Sequence, residues 1–186
     1  REIDLGTNPK EAFEIKTSKI DWSRGLKNEY KKNNKLNFKE GKIIQSLYRP
    51  FTKQYLYLST SLTEMKGITP NFFNNENDRV IVISGRGSRN FSCLMTNINF
   101  CMDLIEKAQG YPLKVYNNIE DQNNLFISNS DNIAISQTIL TNLQKKYKSS
   151  KISNDNIFSY VYGILHSEDF REIFQNNLIK DHPRIP

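Results

Sequence analysis

The sequence is poor in the residues that build metal sites and membrane spans. It has two histidines and two cysteines, Cys93 and Cys101, and these cysteines cannot form a zinc site by themselves. No apolar run approaches the roughly 20 residues that a membrane helix needs, and no signal peptide is visible. Two buried thiols fit a reducing compartment. We therefore expect a cytoplasmic protein that does not enter a membrane.

Motifs of catalysis are also missing. The stretch "SGRGSRN", Ser84–Asn90, lacks the lysine of a phosphate-binding P-loop, and a strand rather than a helix is predicted after it. Nuclease-like E-x-K spacing occurs at Glu14/Lys16 and Glu64/Lys66, which is about what this composition produces by chance. We expect that the chain carries no catalytic residues, no metal and no cofactor.

Positive charge is concentrated in the first third of the chain. Residues 1–60 hold 13 Lys/Arg and 7 Asp/Glu, whereas residues 61–186 hold 13 of each, so the net charge of +6 lies in the first part. A concentrated basic surface attracts polyanions such as nucleic acid. A solvated lysine-rich surface is the alternative, because the composition is rich in Lys, Asn and Ile.

The order of the patterns indicates how the chain is organised. It opens on Arg1 rather than Met, and we expect a piece of a longer polypeptide that forms one domain over residues 1–186. Within it we predict a basic portion in 1–60, mainly strands in 43–128 and mainly helices in 132–180. This is an α+β layout, with an antiparallel or mixed sheet in the first two thirds and a C-terminal helical bundle packed on it.

Short apolar runs predict the strands. From Gln54, tyrosines and leucines alternate between two faces. "RVIVIS" is apolar on both faces, which predicts a central strand, and "NFSCLMTN" can pair with it as a hairpin. The remaining predicted strands are "YPLKVY" and "NLFIS".

A period of 3.6 residues predicts the helices. The apolar residues Ile135, Ile139, Leu143 and Tyr147 mark one helix face, and a second helix is predicted over Asn156–His166. Ser167 can cap a third helix over Glu168–Leu178. Its predicted core face consists of Phe170, Ile173, Phe174 and Leu178.

Two stretches offer side chains for a polyanion. In the glycine loop, Arg86 and Arg89 can reach DNA, and Ser88 and Asn90 can add contacts to phosphate or adenine. A wide hairpin turn without a ligand is the alternative. In "YRPFTKQY", Arg49, Lys53 and Gln54 can form a DNA-facing edge, or Arg49 can simply stack on aromatic rings beside Pro50.

Several of these stretches together resemble a known family. They are "GTNPKEAF", "IDWSRGLK", "LYRPFTKQYLYLS", "RVIVISGRGSRNFSCLMTN", "QGYPLKVY" and "IFSYVYGILHSEDFREIFQNNLIKDHPRIP", in this order. The set resembles the C-terminal region of Type ISP restriction–modification enzymes, over nearly the whole chain. The last block is the most specific, and "YRPF" comes second.

The resemblance implies a target recognition domain. Such enzymes are single polypeptides with a nuclease, a helicase-like ATPase, an adenine-N6 methyltransferase and a C-terminal domain that reads a short DNA site. The implied partners are double-stranded DNA and the upstream methyltransferase and helicase domains. The DNA-contacting residues proposed above come from this sequence and not from the resemblance. The alternative function is a structural coupler that packs on the methyltransferase or the motor without touching DNA.

Overall fold

The computed structural model describes residues 24–34, 41–59, 63, 72–116 and 133–186. Its helices are α1 Arg24–Lys31, α2 Gln137–Lys146, α3 Asn154–His166, α4 Glu168–Ile173 and α5 Gln175–Lys180. Its strands are β1 Lys42–Arg49, β2 Thr52–Leu58, β3 Val80–Ile83, β4 Cys93–Thr96, β5 Asn99–Phe100 and β6 Gln109–Pro112. Most strands precede most helices, so the predicted α+β class is confirmed.

The strands form two three-stranded sheets. One sheet has the order β2-β1-β5, in which β1 and β5 run parallel and Leu47 lies opposite Phe100. The other has the order β4-β3-β6 and is antiparallel throughout. The "RVIVIS" run is therefore a central strand and pairs with "SCLMT" as a hairpin, as predicted. The predicted strand "NLFIS" lies outside the described residues.

Strand β6 differs from its prediction at both ends. It begins at Gln109 rather than Tyr111 and ends at Pro112, which lies opposite Val80. Proline has no N–H to donate, so it suits the end of an edge strand. Beyond it, Lys114 forms only an isolated antiparallel bridge with Ile133.

Strand β3 separates two apolar clusters, because its side chains alternate between the two faces of the sheet. Ile81 and Ile83 pack against Leu113 and the helical residues Phe158, Leu165, Phe170 and Leu178. On the opposite face, Val80 and Val82 pack against Leu47, Phe72, Phe100 and Leu104. All four residues of β3 are buried. The second cluster also joins the two sheets, since Leu47 and Phe100 belong to the β2-β1-β5 sheet.

The C-terminal helices cover one face of the β4-β3-β6 sheet. Helix α3 packs on β4, α4 on α3, and α5 on α4. Ser153 caps α3 through a reciprocal pair of hydrogen bonds with Asn156, and Ser167 caps α4 as predicted. Ile185 packs against the same apolar cluster, so the C-terminal residues contribute to this core.

Two predicted helix faces are wrong. The segment after Ser167 is two short helices, because the chain turns at Phe174, where φ is −105° and ψ is 15°. Phe170 and Leu178 are buried, but Ile173 is 72% exposed and Phe174 43% exposed. In α2 the buried residue is Leu140. Ile139 and Tyr147 are exposed. Ile135 precedes the helix and Tyr147 is its C-cap, so the four predicted residues do not form a continuous helical face.

A second compact unit contains the described residues 24–34, 41–43, 57–59 and 63, which include the first two residues of β1 and the last two of β2. Helix α1 buries none of its residues, and Glu29 pairs with Lys32 at 3.9 Å. Gly41 donates its N–H to the Tyr57 hydroxyl at 3.1 Å. Within the part of the chain that the structure describes, no helix has the length and apolarity to cross a membrane.

Candidate nucleic-acid interface

The β3–β4 loop (residues 84–92) is held by hydrogen bonds within the domain. Its ends are closed by the Ser84 N–H, which donates to the Ser92 carbonyl at 2.9 Å, and by the Ser92 N–H, which donates to the Ser84 hydroxyl at 3.0 Å. At its middle, the Gly87 N–H donates to the Ile179 carbonyl of α5 at 2.8 Å. These hydrogen bonds hold the loop backbone that carries the exposed side chains.

The two glycines of this loop serve its own packing. Gly87 has a φ of +72°, a conformation that favours glycine. A Cβ at Gly85 would lie 2.5 Å from the Lys107 carbonyl oxygen, so only glycine fits there. At Gly85 the close neighbour is therefore the domain's own backbone.

Arg86 and Arg89 differ in their surroundings although both are exposed. Among the described residues, the Arg86 guanidinium has no hydrogen bond or ion pair. The Arg89 guanidinium lies 3.5 Å from the Glu106 carboxylate, which also accepts the Arg89 N–H at 3.0 Å. These hydrogen bonds and the nearby charge lower the pKa of the Glu106 carboxyl. Asn90 is exposed as well.

Ser88, which the sequence offered as a contact to phosphate or adenine, lies inside the loop. Ser84, Gly85 and Ser88 are buried. The Ser88 hydroxyl lies 2.5 Å from the Gly85 carbonyl oxygen and 3.1 Å from that of Glu106. Its hydrogen is therefore used inside the loop, and Ser88 supports the loop's shape instead of offering a contact to DNA.

The hairpin tip (residues 49–52) joins β1 and β2 through Pro50 and Phe51. Arg49 donates to the Asp103 carbonyl and its guanidinium lies 4.6 Å from the centre of the Tyr48 ring. This is the aromatic stacking that the sequence offered as the alternative to a DNA contact. Lys53 and Gln54 are exposed on β2, and both remain accessible to a ligand.

The connecting segment (residues 101–108) contacts both the hairpin and the loop. On the hairpin side, Cys101 donates its N–H to Leu47, and Asp103 accepts from Arg49. On the loop side, Glu106 holds Arg89, and the Lys107 ammonium donates to the Gly87 carbonyl at 2.7 Å. One short segment therefore positions both groups of predicted contacts, Arg49 with its hairpin and Arg86, Arg89 and Asn90 with their loop.

Sequence reasoning missed the residues that organise this surface. Lys107 and Glu106 lie about 20 residues from their loop partners, at separations of 20 and 17, and no local pattern links positions that far apart. Phe51 was also missed, and it is fully exposed. A two-residue turn between two alternating strands is the signal that could have placed Phe51 at a tip.

Burial shifts the pKa of two side chains near the C-terminal helices, Cys93 and His166. Among the described residues, no group of three or more His, Cys, Asp and Glu is arranged to hold a metal ion. Burial raises the pKa of the Cys93 thiol to about 11, which keeps it protonated and unreactive at neutral pH. Burial and the charge of Arg171 lower the pKa of His166, whose ring packs 4.5 Å from that of Tyr162. What the surface offers is a set of exposed hydrogen-bond donors and aromatic rings.

Comparison with known families defines the class of this chain. Residues 7–186 match the Type ISP C-terminal specificity domain. The chain therefore belongs to this family, and the resemblance found in the sequence is confirmed. A search of curated proteins found no match.

Three solved structures are similar over most of the chain. The DrdV–DNA complex has a TM-score of 0.74 and 32% identity over 88% of this chain. A nuclease-deletion mutant of the Type ISP enzyme LlaGI, in complex with a DNA substrate mimic, has a TM-score of 0.69 and 33% identity over 99%. The ATP-dependent Type ISP enzyme LlaBIII bound to DNA has a TM-score of 0.67 and 26% identity over 90%. This chain spans only 16%, 13% and 11% of those three chains.

Proposed function

We propose that this domain recognises a sequence in double-stranded DNA for a restriction–modification polypeptide. The observation that carries the proposal is the family match over residues 7–186, together with three similar structures that contain DNA or a DNA mimic. The catalytic steps, a nuclease, a helicase-like ATPase and an adenine-N6 methyltransferase, belong in this proposal to upstream domains of the same polypeptide. The domain itself contributes the choice of site.

The contacts proposed for DNA are exposed side chains that carry hydrogen-bond donors. On the loop they are Arg86, Arg89 and Asn90, and on the hairpin they are Arg49, Lys53 and Gln54. Arginine and the amides can read base edges through paired hydrogen bonds, whereas lysine is better suited to phosphate. Ser88 is not among them, because its hydroxyl is buried within the loop.

Arg86 and Arg89 have different proposed roles. Arg86 has no described partner, so DNA would not need to displace one. Arg89 is held by Glu106, and its proposed contact to DNA requires either a shared or an exchanged hydrogen bond. Arg86 is therefore the stronger candidate for a base contact. We place this function in the cytoplasm, which is consistent with the free thiols of Cys93 and Cys101.

Selection from a random pool of duplexes tests the proposal. We expect the polypeptide that carries this domain to enrich one short sequence from a pool of 40-base-pair random duplexes. A variant in which the sequence of residues 84–92 is replaced should lose that enrichment. If the folded wild-type protein enriches no sequence, the domain is not a reader of DNA sequence.

A structural coupler is the second candidate, and one observation favours it. A groove of about 1240 Å³ lies between α2, α3, β6 and the C-terminal residues. Ile139, Tyr147 and Tyr160 line it and are at least half exposed, and an apolar surface of this kind marks interaction sites. If the domain is a coupler, Ile139→Ser should uncouple ATP hydrolysis from DNA cleavage. The sequence enriched from the random duplexes should then not depend on residues 84–92.

A further inference from the structure

Phe51 occupies a position that the fold itself does not explain. It lies at the hairpin tip with a φ of 65°, and its side chain is 100% exposed. A left-handed backbone suits glycine or asparagine and is unusual for a bulky aromatic residue. The ring is also not buried, so Phe51 provides neither a favourable backbone conformation nor core packing to the domain.

The surroundings of Phe51 combine aromatic rings with positive charge. Residues 44–56 contain Arg49 and Lys53 and no Asp or Glu. Tyr55 is 82% exposed and Tyr48 is 45% exposed, so further rings are accessible on the same hairpin. Cations next to exposed aromatic rings are typical of surfaces that bind nucleic acid, because the cations meet phosphates and the rings stack on bases.

The hairpin tip, called the wedge below, presents two apolar side chains to solvent. Pro50 and Phe51 are both exposed and are the two residues that connect β1 and β2. A two-stranded ribbon can enter a groove of the duplex. Proteins that unstack a base step do so with apolar side chains such as Phe and Pro.

We infer that Phe51 inserts between two adjacent base pairs and opens the stack at that step, while Arg49 and Lys53 hold the flanking phosphates. The inference rests on the proposed function and assigns a positioning residue to it. Arg49 already has two contacts within the domain, to the Asp103 carbonyl and the Tyr48 ring, so its position next to the tip does not depend on DNA. Insertion of the tip would fix the position of the domain along the duplex. This effect would not depend on the base edges that the loop reads.

Fluorescence of 2-aminopurine tests the inference, because this base emits more when it loses a stacked neighbour. The probe is the duplex enriched from the random pool, with 2-aminopurine placed at successive positions and saturating amounts of the polypeptide that carries the domain. We expect at least one position at which emission rises with wild type and with Phe51→Trp but not with Phe51→Ala. Phe51→Ala should also weaken binding about tenfold, the scale of one lost aromatic–base stack.

A matched variant and the melting temperature complete the test. Ile173→Ala removes an apolar side chain that is 72% exposed on α4 and lies outside both the proposed DNA contacts and the groove, and it should leave emission and affinity unchanged. If no duplex is enriched, the proposed function itself fails. If a duplex is enriched but no rise in emission depends on Phe51, the wedge is wrong while the function stands. A lower melting temperature of Phe51→Ala with unchanged emission also overturns the wedge, since Phe51 then packs on a protein surface.

Discussion

Asp78 illustrates at the scale of one residue how the entry into β3 is fixed. Its side chain is 2% exposed, and its carboxylate accepts the N–H groups of Asn74 and Asn75 at 2.8 and 2.7 Å and the Tyr116 hydroxyl at 2.8 Å. Burial alone would raise the pKa of Asp78, but these hydrogen bonds outweigh it and the pKa is lowered. The charged form is therefore the one that stabilises the turn before β3.

We predict that Asp78→Asn lowers the free energy of unfolding by about 1–3 kcal/mol at pH 7, because the charged acceptor is lost. With the amide oxygen on the Asn74 and Asn75 N–H groups, the new NH2 group replaces the oxygen to which the Tyr116 hydroxyl donates. A lowered folded pKa means that the stabilisation is present above the unfolded pKa of about 3.9 and is lost as pH falls through the folded value. The difference between the proteins should thus shrink in acid. Urea unfolding from pH 7 to pH 2.5 measures it, with the exposed Asp103→Asn as control; a constant difference would contradict the assignment.

Sequence reasoning could not single out Asp78. Its partner Tyr116 lies 38 residues away, and Asp78 stands in an ordinary polar stretch, "NNENDR". The same limit applied to the loop, where Arg86 and Arg89 were expected at the surface. The sequence pattern did not distinguish the unpaired Arg86 from the Arg89 that Glu106 holds, because that distinction depends on the path of residues 101–108.

At the scale of elements, local patterns predicted the β3–β4 hairpin but not the break at Phe174. An apolar run such as "VIVI" is buried on both faces wherever the fold places it centrally, so its identity as a strand depends on few distant contacts. The segment "EDFREIFQNNLIK" contains no glycine or proline that would indicate a break. Phe174 is the C-cap of α4 and the N-cap of α5. Because the helix is interrupted there, the residues that face the core differ from those of one continuous helix.

The break leads to a prediction for α4 and α5. Leu178→Ala should lower the free energy of unfolding by about 2–4 kcal/mol, because Leu178 is 4% exposed and belongs to the cluster with Ile81 and Phe158. Ile173→Ala is the matched control, and it should have little effect since Ile173 is 72% exposed. Equal losses in thermal or urea unfolding would mean that Glu168–Leu178 is one continuous helix with the predicted face.

At the scale of the molecule, net charge per segment separates the two groups of proposed contacts. The hairpin contacts lie in residues 1–60, which hold the excess of positive charge, whereas the loop contacts lie in the part whose charges balance. A surface for DNA needs cations that are exposed and available, which is a property of individual side chains. Net charge per segment counts paired and unpaired cations alike, and so it missed the difference between Arg86 and Arg89.

Salt dependence separates base contacts from phosphate contacts in the whole protein. With the enriched duplex, Lys53→Ala should make the plot of log affinity against log salt shallower by about 1 and weaken all sequences alike, as expected for a lost phosphate contact. Arg86→Ala should instead cost about 1–3 kcal/mol mainly on the cognate sequence and relax preference at one base pair. Lys151→Ala, in the turn after α2, is the control for a cation outside the hairpin and loop. Identical behaviour of Arg86→Ala on cognate and single-mismatch duplexes would remove Arg86 as a base reader.

The connecting segment has a consequence for attempts to exchange specificity between relatives. Residues 101–108 hold Arg49 on one side and Arg89, Gly85 and Gly87 on the other. A loop transplanted alone from another specificity domain would meet a Glu106 and a Lys107 that were matched to a different set of carbonyls and guanidiniums. The portable unit is therefore composite: the loop, the hairpin tip and residues 101–108 have to be moved together, although they are separate in the sequence.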